Sequence, residues 1–408
     1  MADSQPKTSS LQISSPRMLV AYISGAYGFS FANTMGFLVP LRALELGAPA
    51  GLIGIIAGAA AILPPFTSIP AGALSDRIGP RQAYIMGTAI SGIIALAFAL
   101  TSNLWVMLGL QLLLGPARTL AWVSSQTYIT GIGSPEERPS ITAKFSFSTQ
   151  VGVLVSPALA GAAATLVGYQ ASFILAVFLA GLFVLMGLII PDIRSRPQSQ
   201  TSANTSAIGF SEAIQLLKLR GIQVALLLTW MRVWTTSGWT AFFPVLLIQQ
   251  GFSPSVAGTV VSSWALVAMV STLGAGRATR LGSKEIIIAT TLALGALGVA
   301  ISTYVSSFPL IYLPALLIGI GQGLSLPLLL AVVSDYAPPE MRGVALGIRV
   351  SVNQTAATLS PISMGGLINL SGSAVGFGAS GGFMAAVLAI ASMLHLNHRR
   401  SIWKATSR

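Results

Sequence analysis

The 408-residue chain contains no cysteine, which excludes disulfides, thiolate metal sites and a cysteine nucleophile. Charge is scarce too. Only 8% of residues are Asp, Glu, Lys or Arg, against about a quarter in a soluble domain. With 53% hydrophobic residues and a mean hydropathy of +0.79, the chain lacks the polar surface of a water-soluble globule, and an integral membrane protein is expected. Acids are rarest of all: Asp3, Glu45, Asp76, Glu136, Glu137, Asp192, Glu212, Glu285, Asp335 and Glu340 are the complete set, and none falls in the middle of an apolar run. Both histidines, His395 and His398, lie at the end of the last run. No phosphate-cradling loop, metal cluster or nucleotide-binding pattern occurs, so no cofactor is expected and an ATP-driven mechanism is unsupported. An embedded enzyme would need an acid, base or nucleophile constellation within the runs, and none is there. A membrane receptor would normally add a soluble output domain, whereas the polar tails are only about 17 and 12 residues. The formal charge of +12 does not imply nucleic acid, because the bases sit in the breaks between apolar runs instead of clustering on a folded domain.

What the chain does have is apolar runs of about 20 to 27 residues, each able to cross about 30 Å of hydrocarbon as a helix. Six occupy residues 18–44, 50–74, 82–101, 104–132, 141–167 and 170–190. Six more occupy 221–249, 255–278, 285–305, 310–333, 343–370 and 376–396. The polar N-terminus has no cleavable leader, so the first run is expected to be a retained span. Residues 191–209, rich in Ser, Thr, Arg and Gln, read as a linker with an amphipathic lead-in over 210–220. The expected organisation is therefore an N-terminal six-helix bundle over 1–190, a linker over 191–220 and a C-terminal six-helix bundle over 221–408.

The halves repeat one another at an offset of 204: Pro40 matches Pro244, Gly47 matches Gly251, Gln150 matches Gln354, Ser156-Pro157 matches Ser360-Pro361 and Gly161 matches Gly365. Such agreement across several spans reads as a duplicated six-helix unit. With the N-terminus inside, eighteen of the twenty-two Lys and Arg residues fall on inside loops and only Arg42 lies outside. The positive-inside rule then puts both termini and the linker in the cytoplasm, with the chain multi-pass in a plasma (bacterial inner) membrane. The Asn204 glycosylation sequon falls in that linker and is discounted.

Between the second and third runs, Gly72, Leu74, Asp76, Arg77, Gly79 and Arg81 resemble the signature of the major facilitator superfamily (MFS). A degraded copy, Arg280 to Lys284, precedes the ninth run, with Thr279 where Asp76 stands. The resemblance covers the whole chain and implies an all-α fold of twelve transmembrane helices in two pseudo-symmetric bundles, working as a monomeric secondary transporter by alternating access. It also implies that Asp76 latches the inner gate against the other bundle with Arg77 and Arg81 in support, that Gly72 and Gly79 allow close approach and a tight turn, and that Asp335 substitutes as the acid for Arg280. Gly152 to Gly161, with Ser156-Pro157 at its centre, resembles the antiporter signature of the drug-exporting branch.

Three bases remain, Arg118, Arg232 and Arg349, and they lie inside spans; the first two fall near the midplane. An intramembrane arginine costs about 2.5 to 3.5 kcal/mol on insertion scales and tends to face a wet cavity. Without a midplane acid, such a site suits an anion gripped by guanidinium groups. Tyr27, Trp122, Trp239, Gln150, Gln322 and Asn353 share depth or a helical face with these arginines and complete the expected substrate site. Trp230 and Trp234, which flank Arg232, are expected to stack on substrate or on guanidinium. The expected function is transport of a small organic or inorganic anion, by export or exchange, with a proton or a second anion as the coupled partner. The alternative is a proton-coupled multidrug exporter.

Overall fold

The computed structural model describes residues 15–132, 137–192, 215–338 and 341–406, and every regular element among them is helical. Pro135-Glu136 and Pro339-Glu340, which also match at the offset of 204, and Asn204 lie outside those residues. The first half contains α1 (Ser15–Glu45), α2 (Ala50–Ala59), α3 (Pro64–Ile78), α4 (Pro80–Leu100), α5 (Leu104–Thr130) and α6 (Arg138–Ile189). The second contains α7 (Arg220–Gln249), α8 (Pro254–Leu273), the short α9 (Ala275–Ala278), α10 (Lys284–Ile301), α11 (Leu313–Tyr336) and α12 (Arg342–Thr406), with a 3-10 turn at Leu310–Tyr312.

At 52 residues, α6 would be about 78 Å long if straight, more than twice the hydrocarbon thickness of a bilayer. It turns back at Gly168 (φ 79°, ψ 166°), and α12 does the same at Gly372 (φ 83°, ψ 169°), a positive-φ backbone that only glycine adopts without penalty. These glycines are 204 apart, as are the left-handed Gly47 and Gly251. With α2 and α3 forming one crossing and α8 continued by α9, each half crosses six times, as the hydropathy predicts.

One span differs from expectation. The second run reads as a continuous helix over 50–74 but breaks between Ala59 and Pro64 and extends to Ile78. Pro64 and Pro65 have no N–H to offer the preceding turn, which closes instead with tight bonds from Ala61 N to the Gly58 carbonyl (3.0 Å) and from Ile62 N to the Ala59 carbonyl (3.2 Å). Gly115 on α5 gives the break its room: a methyl group there would strike the Ala60 carbonyl.

The halves meet unevenly. We call the end carrying the 72–81 turn the basic end. At the opposite end, α2 crosses the first part of α12 so closely that a Cβ on Gly54 would collide with the Pro361 carbonyl and the Gly365 backbone. The crossing of α6 with α8 repeats this, with Gly258 against the Pro157 carbonyl and Gly161. Ser262 Oγ accepts from Ala158 N (3.0 Å) and Thr165 Oγ1 accepts from Ser255 N (2.9 Å) across the same junction. Leu44, Ile53, Phe242, Val245 and Ile368, with Gln249 and Ser373, line a small pocket there between the halves. At the basic end, by contrast, Arg81, Lys284 and Arg342 each bond within their own half. The opposite end is closed in this structure.

Candidate substrate site and gates

Helix length sets the depth of the site. Tyr27 lies 12 residues from Ser15, Arg118 lies 12 before Thr130 and Arg232 lies 12 after Arg220, so each is about 18 Å from the basic end. Asn353 and Gln322 fall within one turn of that level, 11 residues after Arg342 and 14 before Tyr336. These residues share a layer near mid-membrane. Arg349 is shallower, seven residues into α12 and about 10 Å from the same end.

The second half supplies the denser charge. Arg232 and Arg349 are close enough to repel one another, and among the described residues neither has a carboxylate partner. The Nε atoms of both are enclosed without a protein acceptor, as is the Oδ1 of Asn353 without a donor. Asn353 stands one turn from Arg349 on the same face of α12. Gln322 Nε2 donates to the Arg232 carbonyl (2.7 Å), so it fastens α11 to α7 below the guanidinium.

In the first half, Arg118 Nε is likewise enclosed without an acceptor, and the residue lies within electrostatic range of Tyr27. Tyr27 itself departs from its expected place in the cavity. It is 1% exposed, its ring packs on Phe31, Tyr84 and Phe183 inside its own bundle, and its hydroxyl is turned toward Ser91 and Thr88. It sits behind Arg118 instead of opening to a ligand. Trp122, one turn from Arg118 on α5, is partly exposed; it meets Phe29 edge-on (4.9 Å, 84°) and stacks on Phe145 (5.9 Å, 30°). Phe29 was not expected from sequence, although its 41% exposure on a helix carrying Tyr27 two positions earlier puts it on the face turned away from the bundle interior.

Trp239 also departs from expectation. It is 1% exposed, donates to Ser302 Oγ (3.1 Å) and stacks on Phe243 (4.8 Å), so it packs α7 to α10 and is closed to substrate. Trp230 and Trp234 turn to Phe383 on α12, with Trp234 Nε1 donating to Ser380 Oγ (3.3 Å), and do not cover Arg232. Gln150 is exposed on α6 and makes no bond to the arginine layer.

At the gate, Asp76 and Arg77 are exposed at the end of α3. Gly79 joins α3 to α4 at φ 93°, the tight turn expected. Gly72 is less constrained: a Cβ there would meet only Val123, at 4.0 Å. Arg81 caps the end of α6, donating from Nε to the Gly187 carbonyl (2.9 Å) and from Nη2 to the Leu188 carbonyl (2.6 Å). In the second copy, Arg280 is exposed and Asp335 pairs with Lys284 (2.6 Å), not with Arg280 as expected. The lysine begins α10 just where Asp335 emerges from α11, whereas Arg280 lies four residues earlier in the open turn.

This architecture has many relatives. A probable hexose phosphate transport protein of Chlamydia trachomatis is 27% identical over 186 residues, 45% of this chain and 40% of its own. A multi-drug resistance efflux pump homologue of Lactococcus lactis is 24% identical over 332 residues, 77% of this chain and 78% of its own. Among solved structures, the nucleoside transporter NupG superimposes with a TM-score of 0.76 at 16% identity, covering 93% of this chain and 99% of that one. The sequence profile of the Major Facilitator Superfamily matches residues 20–277 and 237–408, nearly the whole length, and agrees with the two-bundle fold: the chain belongs to that superfamily and is a membrane transporter, not an enzyme.

Proposed function

We propose that this transporter carries a small anion by alternating access, exporting it or exchanging it for a second anion or a proton. One observation supports this above the others: Arg118, Arg232 and Arg349 project from three helices toward mid-membrane depth, while none of the six acids among the described residues lies in that layer. A layer of unneutralised guanidinium groups attracts an anion and offers paired N–H donors to a carboxylate or phosphate. On the positive-inside reading the basic end faces the cytoplasm, and the close crossings at the opposite end support a site reached from that side. Return to the outward-open form brings Asp76 against the start of α12, whose N-terminal dipole receives a carboxylate.

The test is a thermal-shift and proteoliposome transport screen over carboxylates, phosphates and inorganic anions, repeated with Arg118→Gln and Arg232→Gln. Both variants lose affinity on this reading; wild-type affinity in both removes the arginines from the site. The second reading, a proton-coupled multidrug exporter, draws on the Gly152 to Gly161 stretch and on the Lactococcus relative. A strictly proton-coupled cationic drug as the transported species would decide for it. The lack of a carboxylate in the central layer among the described residues favours the anion.

A further inference from the structure

The two halves present different chemistry at equivalent positions. At the offset of 204, Arg232 corresponds to Gly28 and Arg349 corresponds to Phe145. Under the approximate two-fold relation between halves, equivalent positions stand at equal depth on opposite sides of the axis. Where the second half places two guanidinium groups, the first places a glycine and aromatic rings. Gly28 is required by that arrangement: a Cβ there would come within 2.7 Å of the Trp122 ring edge. Gly25, one turn earlier, leaves room for Phe145 in the same way. Trp122 is thus drawn down onto α1, with Phe29 against its edge and Phe145 beneath it. Trp122 and Phe29 remain partly exposed, while Phe145 is buried and supports them.

We infer that the cargo is an amphipathic organic anion, with its carboxylate or phosphate end at Arg232 and Arg349 and an aromatic or other ring-shaped apolar end on Trp122 and Phe29. This rests on the anion reading and narrows it, because inorganic anions and short polar carboxylates leave the aromatic pole uncovered. Arg118 stands one turn from Trp122 on the same face of α5 and, on this reading, serves a second acceptor on the cargo. Ring-on-ring contact and the burial of apolar area supply the affinity of the aromatic end, and the guanidinium pair supplies that of the charged end.

Isothermal titration of the purified full chain with 1-naphthoate, acetate and inorganic phosphate tests the assignment. 1-Naphthoate is expected to bind at least about tenfold tighter than acetate. Trp122→Ala should erase most of that advantage while leaving acetate binding nearly unchanged, Trp122→Phe should restore part of it, and Phe29→Ala should repeat the loss on a smaller scale. Arg349→Gln should weaken both carboxylates together. Equal affinity for naphthoate and acetate, or equal weakening of both by Trp122→Ala in protein of wild-type thermal stability, overturns the aromatic pole while leaving the anion site standing. Binding of tetraphenylphosphonium that depends on Trp122, with no anion bound and no effect of Arg232→Gln, overturns the inference together with the anion reading beneath it.

Discussion

The closed end and the central layer of this transporter treat its internal duplication in opposite ways. At the closed end the copies are kept in register residue by residue: Gly54 with Gly258, Pro157 with Pro361 and Gly161 with Gly365 build two crossings of the same design, between turns at Gly47 and Gly251 and at Gly168 and Gly372. In the central layer the copies diverge, with Arg118 opposite Gln322, Gly28 opposite Arg232 and Phe145 opposite Arg349. Two bundles that rock against each other must seal along both flanks, so symmetry at the seal is mechanically required. The amphipathic cargo proposed above has two unlike ends, and a site that fits it is correspondingly unsymmetrical.

The largest effect that would break this comparison is expected at the seal. Gly54→Leu and Gly258→Leu each push a side chain into a facing carbonyl, and each should lower transport by about fivefold to a hundredfold, because overpacking costs the closed state about 1 to 3 kcal/mol. Initial rates in proteoliposomes check this. Loss in one variant alone would show that the crossings are equivalent in shape but not in use. Next comes Arg118→Gln, which makes positions 118 and 322 identical and so removes one element of asymmetry. On the proposed anion reading, affinity for the cargo should fall by tens of fold, about 2 kcal/mol, as for a lost bond to a charged group.

A smaller effect concerns a difference of architecture instead of cargo. Arg42 is 7% exposed, pairs with Glu45 on its own helix and ties α1 to Ser102 (3.0 Å) and to Gln170 (3.1 Å), whereas its counterpart in the second half is Leu246. Arg42→Leu should lower stability by about 2 kcal/mol, read as a reduced melting temperature in detergent; the 42% exposure of Glu45 keeps the loss below that of a fully buried pair. The smallest effect distinguishes the two copies of the signature turn. Gly79→Ala at φ 93° should cost about 1 kcal/mol, while Gly282→Ala, whose backbone is not left-handed and whose surroundings are open, should be close to neutral.

Most of the fold was legible because a bilayer imposes length and hydropathy on each crossing, and the charges in the breaks mark one end. The broken second span was harder to see: Pro64-Pro65 lies within an apolar run, and helices in membranes often accommodate proline without breaking. Within the site, depth was readable and direction was not. Arg118, Arg232 and Arg349 could be placed at their levels by counting residues, but Tyr27 and Trp239 sit at plausible levels and face the interiors of their own bundles. In helices buried on several sides, the polar tips of aromatic residues satisfy neighbours as readily as ligands, as Trp239 does with Ser302. The signal that would have found the seal was present at the 204 offset, in Gly54 and Gly258, which are ordinary glycines until their partners are known.

The glycine crossings have one more consequence. Their contact surfaces are carbonyls, glycine Cα atoms and a few hydroxyls, with no charged side chain taking part. Dissolved ions therefore have nothing to screen there, whereas the latch proposed for the Asp76 carboxylate would meet the full weakening effect of electrolyte. Raising ionic strength on the basic face alone should hold the transporter longer with that face open, and the same addition on the other face should leave the cycle unchanged. The two sides of one molecule would then differ in whether the composition of the surrounding water can set its pace.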